Sequence, residues 1–179
     1  MSQDSPLHAE KIHLAGLLEV IQRCVYFLDA SSQTLQWPLD GGYLTQNKKD
    51  TQIFEALAAI NERFAKLQDT LGAAMRHSLV LSGEQANSFI KVLAIFEKAG
   101  VVQSIEAWQI VRAARNLAAH DYETNYDLVA EHFNALHDQQ ETLYQTAKAF
   151  VSYAQQVLNV SPLSSDFSQE FNEVTRVKT

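Results

Sequence analysis

Apolar residues recur along this chain at alternating steps of four and three, the spacing that gathers side chains on one face of a helix. Leu14, Leu18, Ile21, Val25 and Leu28 form the first such seam and predict a helix from Leu7 to about Ala30. Ile53, Leu57, Ile60, Phe64, Leu67 and Leu71 form the second and predict a helix from Thr51 to Leu79. Ser82-Gly83 then precedes a shorter helix with Phe89, Leu93 and Phe96 inward, ended by Gly100 where a left-handed cap is common. Ser104 is placed to cap a fourth helix, with Glu106 in its first turn and Ile105, Trp108, Val111 and Leu117 as its apolar contacts. Thr124-x-x-Asp127 reads as a capping box with Asp in place of Glu. Behind it, Val129, Phe133, Leu136, Leu143, Ala147, Phe150 and Val157 make a long seam that ends near Leu158.

Two stretches lack a seam. Ser31 to Lys49 carries Trp37-Pro38 and Gly41-Gly42, which break periodicity and predict a long surface connection or lid. Residues 161–179 read as a flexible C-terminal tail after a helical domain spanning 1–160. Five antiparallel-compatible helices predict an all-α fold, an up-and-down bundle of four to five helices, and nothing resembles a repeat array.

Composition narrows the function. A chain of 179 residues with 46% apolar and 20% charged content fits one domain large enough to bury its own core. The formal charge of −7 excludes a surface that binds nucleic acid everywhere, so any RNA contact must be local. Cys24 is the single cysteine, which rules out an intrachain disulfide and a thiolate zinc cluster and predicts a small core thiol. The first residues lack a basic region followed by an apolar one, and no run of about 18 apolar residues occurs, so a cytoplasmic protein with no membrane span is expected.

Chemistry concentrates in one place. Arg112-Ala-Ala-Arg115-Asn116-Leu-Ala-Ala-His120-Asp121-Tyr122 brings together two guanidiniums, an amide, an imidazole and a phenol. Helical spacing lines up Arg112, Asn116 and His120, and puts Arg115 about 140° around from His120. Such a set suits RNA cleavage without a metal. His120 can move a proton at the ribose 2′-OH or the leaving 5′-oxygen, because imidazole titrates near neutrality. The fork of Arg115 can hold the scissile phosphate, and Asn116 can orient His120 or the phosphate. The same residues also suit a structural role: a histidine against a helix C-terminal dipole, arginines on an exposed face, a solvated Asn116, and a Tyr122 ring packed on the core.

Arg115-Asn116-x-x-x-His120-x-Tyr122 resembles the R-x4-6-H signature of the HEPN superfamily, in the R-x4-H-x-Y form of HepT-type toxins. Glu62-Arg-Phe-Ala-Lys-Leu-Gln-Asp-Thr-Leu-Gly72 and Ala99-Gly-Val-Val-Gln-Ser-Ile-Glu-Ala-Trp108 also look like bacterial HEPN proteins found beside minimal nucleotidyltransferases. The likeness covers roughly residues 7–158. It implies a helical bundle that forms a homodimer, with two motifs facing each other across one RNA-cleaving cleft. It makes Arg115 and His120 the catalytic pair, with Asn116 following the arginine. Arg112 joins them as an RNA-binding residue by position alone. The resemblance further implies a cognate nucleotidyltransferase antitoxin that attaches AMP to Tyr122. The added phosphate would compete with RNA for the arginines.

Two other readings stand beside it. The chain could be a non-catalytic HEPN partner that binds a nucleotidyltransferase and assists its substrate recognition, or a helical interaction module whose Trp37–Gly42 stretch docks a partner. The nucleotidyltransferase itself is excluded, because no Gly-Ser turn with paired aspartates occurs. No Walker A loop, Gly-rich dinucleotide turn or His-Glu-x-x-His pair occurs either. His132 and His137 stand five apart, off the spacing that aligns metal ligands on a helix, so no metal and no cofactor is expected.

Overall fold

The seams become buried faces. In the computed structural model, which describes residues 6–118 and 124–176, the chain is all-α. α1 (Pro6–Ser32) and α3 (Thr51–Leu81) lie against each other along the predicted positions. Leu14, Leu18, Ile21, Val25 and Leu28 of α1, and Ile60, Phe64, Leu67 and Leu71 of α3, are fully buried. α4 (Phe89–Lys98), α5 (Ile105–Ala118) and α6 (Tyr126–Val157) complete the core with Leu93, Phe96, Trp108, Val111, Phe133, Leu136 and Phe150. Val157, expected to continue the last seam, is 57% exposed because that helix ends there.

Helix ends follow the capping chemistry, with one shift. Asp50 accepts from the amides of Gln52 (2.9 Å) and Ile53 (3.3 Å), and Ser104 Oγ accepts from Ala107 (2.9 Å). For α6 the cap is Asn125 and not the expected Thr124: the Asn125 Oδ1 accepts from Asp127 and Leu128 at 3.1 and 3.3 Å. An Asn side chain reaches these amides as well as a threonine hydroxyl does. At the end of α4, Gly100 takes φ +73°. Val101 N–H then donates to Phe96 O and Gly100 N–H to Glu97 O, the paired closure that needs a left-handed residue.

The two stretches without a seam both pack. The 31–49 connection contains α2 (Gly41–Gln46), capped by Asp40, and buries Leu39 and Leu44. Asn134 of α6 brackets Leu39, accepting from its N–H at 2.7 Å and donating to its carbonyl at 3.0 Å. The Trp37 ring stacks on His137 at 4.1 Å with planes 3° apart. Gly41 is required here, since a Cβ would stand 2.7 Å from the Asp127 Cα. The connection is thus held on α6 rather than free as a lid.

Residues 161–176, expected as part of a flexible tail, instead fold back on α1. Leu163 N–H donates to Ala15 O at 3.2 Å, and α7 (Ser168–Val174) buries Phe171 against α1. The Thr175 carbonyl accepts from Gln145 Nε2 and Lys148 Nζ, both at 3.2 Å. Phe171 in the core, Phe167 against Tyr26 and Phe27, and hydrogen bonds with side chains of α1 and α6 fix the strap, and none of these leaves a periodic trace in sequence.

Candidate functional site: an arginine-lined cleft between α3 and α5

α3 and α5 diverge enough to leave a cleft of about 420 Å³. Gln68, Gly72 and Arg76 recur every four residues on α3 and face it, with Asp69 beside them. Trp108, Arg112 and Arg115 recur at steps of four and three on α5, and Phe89 of α4 closes one end. Gly72 sits close under Phe89: a Cβ there would meet the ring at 3.2 Å.

Arg115 is fixed by Asp69. Its Nη1 and Nη2 donate to Asp69 Oδ1 and Oδ2 at 2.7 and 2.9 Å, a fork-to-fork pair between the two helices. The pair stays in contact with solvent, with side-chain exposures of 29% for Arg115 and 58% for Asp69. Two of five N–H groups are used, which leaves the rest of the guanidinium to a ligand. Arg76 lies over the Phe89 ring, 5.4 Å from its centroid. Arg76 and Arg112 are exposed and make no ion pair among the described residues. The cleft gathers three guanidiniums on a chain whose net charge is −7, which concentrates positive potential locally.

Gln68, which lines the cleft, is only 3% exposed, and among the described residues neither its Nε2 nor its Oε1 has a hydrogen-bond partner. Each orphaned amide end carries a desolvation cost of about 1–3 kcal/mol, so Gln68 lowers the stability of the fold.

Arg112 and Arg115 are brought together on the cleft, as helical proximity allows. Asn116 is exposed and not part of the cleft lining, so the expected line of Arg112 and Asn116 does not converge there. His120 and Tyr122 lie outside the described residues, as does the Leu117 side chain. Asp69, Arg76 and Gln68 carry no site signal in the sequence, and Phe89, expected as an inward core position, is only partly buried and lines the cleft. Gln68 stands beside Leu67 and four residues after Phe64, so the helical period carries a polar side chain onto the buried side of α3, while Asp69 is exposed. Arg76 and Phe89 come from separate helices and leave no local signature.

A second cavity of about 390 Å³ lies under the Trp37 arm, lined by Tyr144, Gln140, Asp29 and Glu141. The Tyr144 hydroxyl and Gln140 Nε2 are buried without partners among the described residues. Burial, and then the Asp29 and Glu141 carboxylates, push the Tyr144 phenol well above its ordinary range. Its carboxylates make this cavity the wrong sign for a phosphate. Cys24 is a buried thiol held up at about 11, first by burial and then by Glu62, so it stays protonated at neutral pH. Among the described residues no group of three or more His, Cys, Asp or Glu side chains converges as metal ligands would. No helix among them is long and apolar enough to cross a membrane.

Compared with family models, with curated proteins and with solved structures, the chain matches none of them.

Proposed function

We propose that this chain is a metal-independent endoribonuclease of the HEPN type, the toxin of a pair whose antitoxin is a nucleotidyltransferase. The observation that carries the reading is the arginine-lined cleft, which adjoins the end of α5 where the Arg115-Asn116-x-x-x-His120-x-Tyr122 sequence begins. In this reading α1, α3, α5 and α6 are the up-and-down bundle, and two copies pair so that their α5 ends meet in one composite site.

The chemistry is transesterification. The ribose 2′-oxygen attacks phosphorus, its proton passes to a base, and the 5′-oxygen departs with a proton from an acid. The products are a 2′,3′-cyclic phosphate and a 5′-hydroxyl. His120 serves in proton transfer, Arg115 holds the charge that gathers on the phosphate oxygens, Arg112 binds the strand, and Asn116 orients the imidazole or the phosphate. Asp69 fixes the fork of Arg115 before RNA arrives, which removes an ordering cost from the transition state. AMP added to Tyr122 would bring a phosphate to the same arginines and shut the site.

The test is incubation of the protein with total RNA or tRNA in EDTA, comparing wild type with His120→Ala and Arg115→Ala. Cleavage by wild type alone, leaving 2′,3′-cyclic phosphate ends, is the expected result. A second reading, a non-catalytic protein that binds a nucleotidyltransferase and assists its substrate recognition, is favoured by the engagement of the Arg115 fork with Asp69. Equal inactivity of wild type and variants, with the dimer intact, would select it.

A further inference from the structure

Phosphate binding leaves one group in the cleft without a use. Gln68 is 3% exposed with both ends of its amide unpartnered among the described residues, whereas the buried Gln22 accepts from Ser168 Oγ at 3.1 Å. A carboxamide whose donor and acceptor are both buried and unpartnered among the described residues matches, once the side chain turns into the cleft, a ligand edge that presents an acceptor beside a donor. Nucleobase edges do this, and glutamine reads them in pairs of hydrogen bonds. The terminal torsion of glutamine is soft, so the amide can turn toward an entering base.

The rest of the cleft supplies what a nucleotide needs around that edge. Arg76 and Arg112 are guanidiniums with no carboxylate on them among the described residues, suited to a phosphate. The Arg76 plane over Phe89 offers a flat surface at the rim on which a base or its neighbour can stack. Gln68 and Arg76 share one face of α3 with about 12 Å of axial rise between them, which separates a base end from a phosphate end. A cleft of about 420 Å³ has the size of a small-ligand site and not of a duplex groove.

We propose that the cleft takes one unpaired nucleotide of an RNA strand, with its base edge on Gln68 and its phosphate on Arg76 and Arg112. Gln68 is then a specificity residue. The identification of the strand as RNA rests on the ribonuclease reading above, while the nucleotide site stands on the cleft alone.

Calorimetric titration of the full chain with the four ribonucleoside 5′-monophosphates and with ribose 5-phosphate tests it. The best base should bind at least tenfold more tightly than ribose 5-phosphate. In Gln68→Leu that gain should vanish while ribose 5-phosphate binds as before, and Gln68→Glu, which replaces the donor, should change which base is preferred. A 2′-O-methyl hexanucleotide, which 2′-hydroxyl chemistry cannot cut, should displace the monophosphate, and a hairpin with every base paired should not. Equal binding of all five small ligands, or discrimination that survives Gln68→Leu, would overturn the base site. Failure of the hexanucleotide to compete would overturn the RNA assignment. Because the readout is binding, a chain that binds nucleotides yet cuts no RNA would sink the nuclease reading alone.

Discussion

Replacing Gln68 with leucine should make the protein more stable. The side chain is almost wholly buried, and neither end of its amide meets a partner among the described residues. Folding therefore strips water from one donor and one acceptor and returns nothing, at a cost of about 1–3 kcal/mol for each unsatisfied group. Leucine removes both penalties while nearly preserving volume, and what it loses in shape fit costs under about 1.5 kcal/mol. The two penalties sum to about 2–6 kcal/mol; with the packing loss subtracted, and because the group borders a solvated cleft, the net gain should be about 1–3 kcal/mol. For a chain of this size each kcal/mol moves the melting temperature by about 2–4 °C, so Tm should rise by roughly 2–12 °C. Urea unfolding at fixed protein concentration is the assay, and the midpoint should move with the slope unchanged. A loss of stability in Gln68→Leu would refute the reasoning, since it would mean the amide is hydrogen-bonded in solution, by water or by a partner copy.

Other outcomes follow from the same contacts. Asp69→Ala should cost no more than about 1 kcal/mol, because the pair it breaks is solvent-exposed. Cleavage should nevertheless fall at least about tenfold, because Arg115 loses its fixed orientation; equal loss of stability and activity would count against a positioning role. Gly41→Ala should destabilise by about 1–3 kcal/mol in urea, since the new methyl must push α2 off the Asp127 backbone. Cys24 retains its proton in the folded state up to about 11 against an ordinary 9.0. Its raised value means that stability is full below pH 9 and declines as pH climbs toward 11, where the unfolded chain ionises first. Cys24→Ala should flatten that alkaline decline, and an unchanged pH profile would show that the thiol is not its source.

Much of the fold is legible because its core is periodic. Leu14 to Leu28 and Ile53 to Leu71 announce their buried faces by spacing alone, and Asp50, Ser104 and Gly100 mark helix ends through local hydrogen bonds. What escapes has no period. α2 is a six-residue helix that opens on two glycines, and it exists because Asn134, far along the chain, grips Leu39. The strap after residue 160 is held by Phe171 and by side chains reaching its carbonyls. The candidate site divides the same way. Arg112 and Arg115 are neighbours in sequence and share the cleft, whereas Asp69, Arg76 and Gln68 join them only through the packing of α3 on α5. Asn116 fell into the expected cluster by adjacency, and the turn of the helix carries it outward.

The two tryptophans stand at separate cavities, Trp37 stacked on His137 beside the acidic one and Trp108 in the wall of the arginine cleft. Each cavity therefore has its own built-in chromophore. With Trp37 replaced by phenylalanine, all indole emission would come from the cleft wall, and with Trp108 replaced, all from the arm. Ordinary fluorimetry on those two proteins would assign any added compound to one cavity or the other without a label.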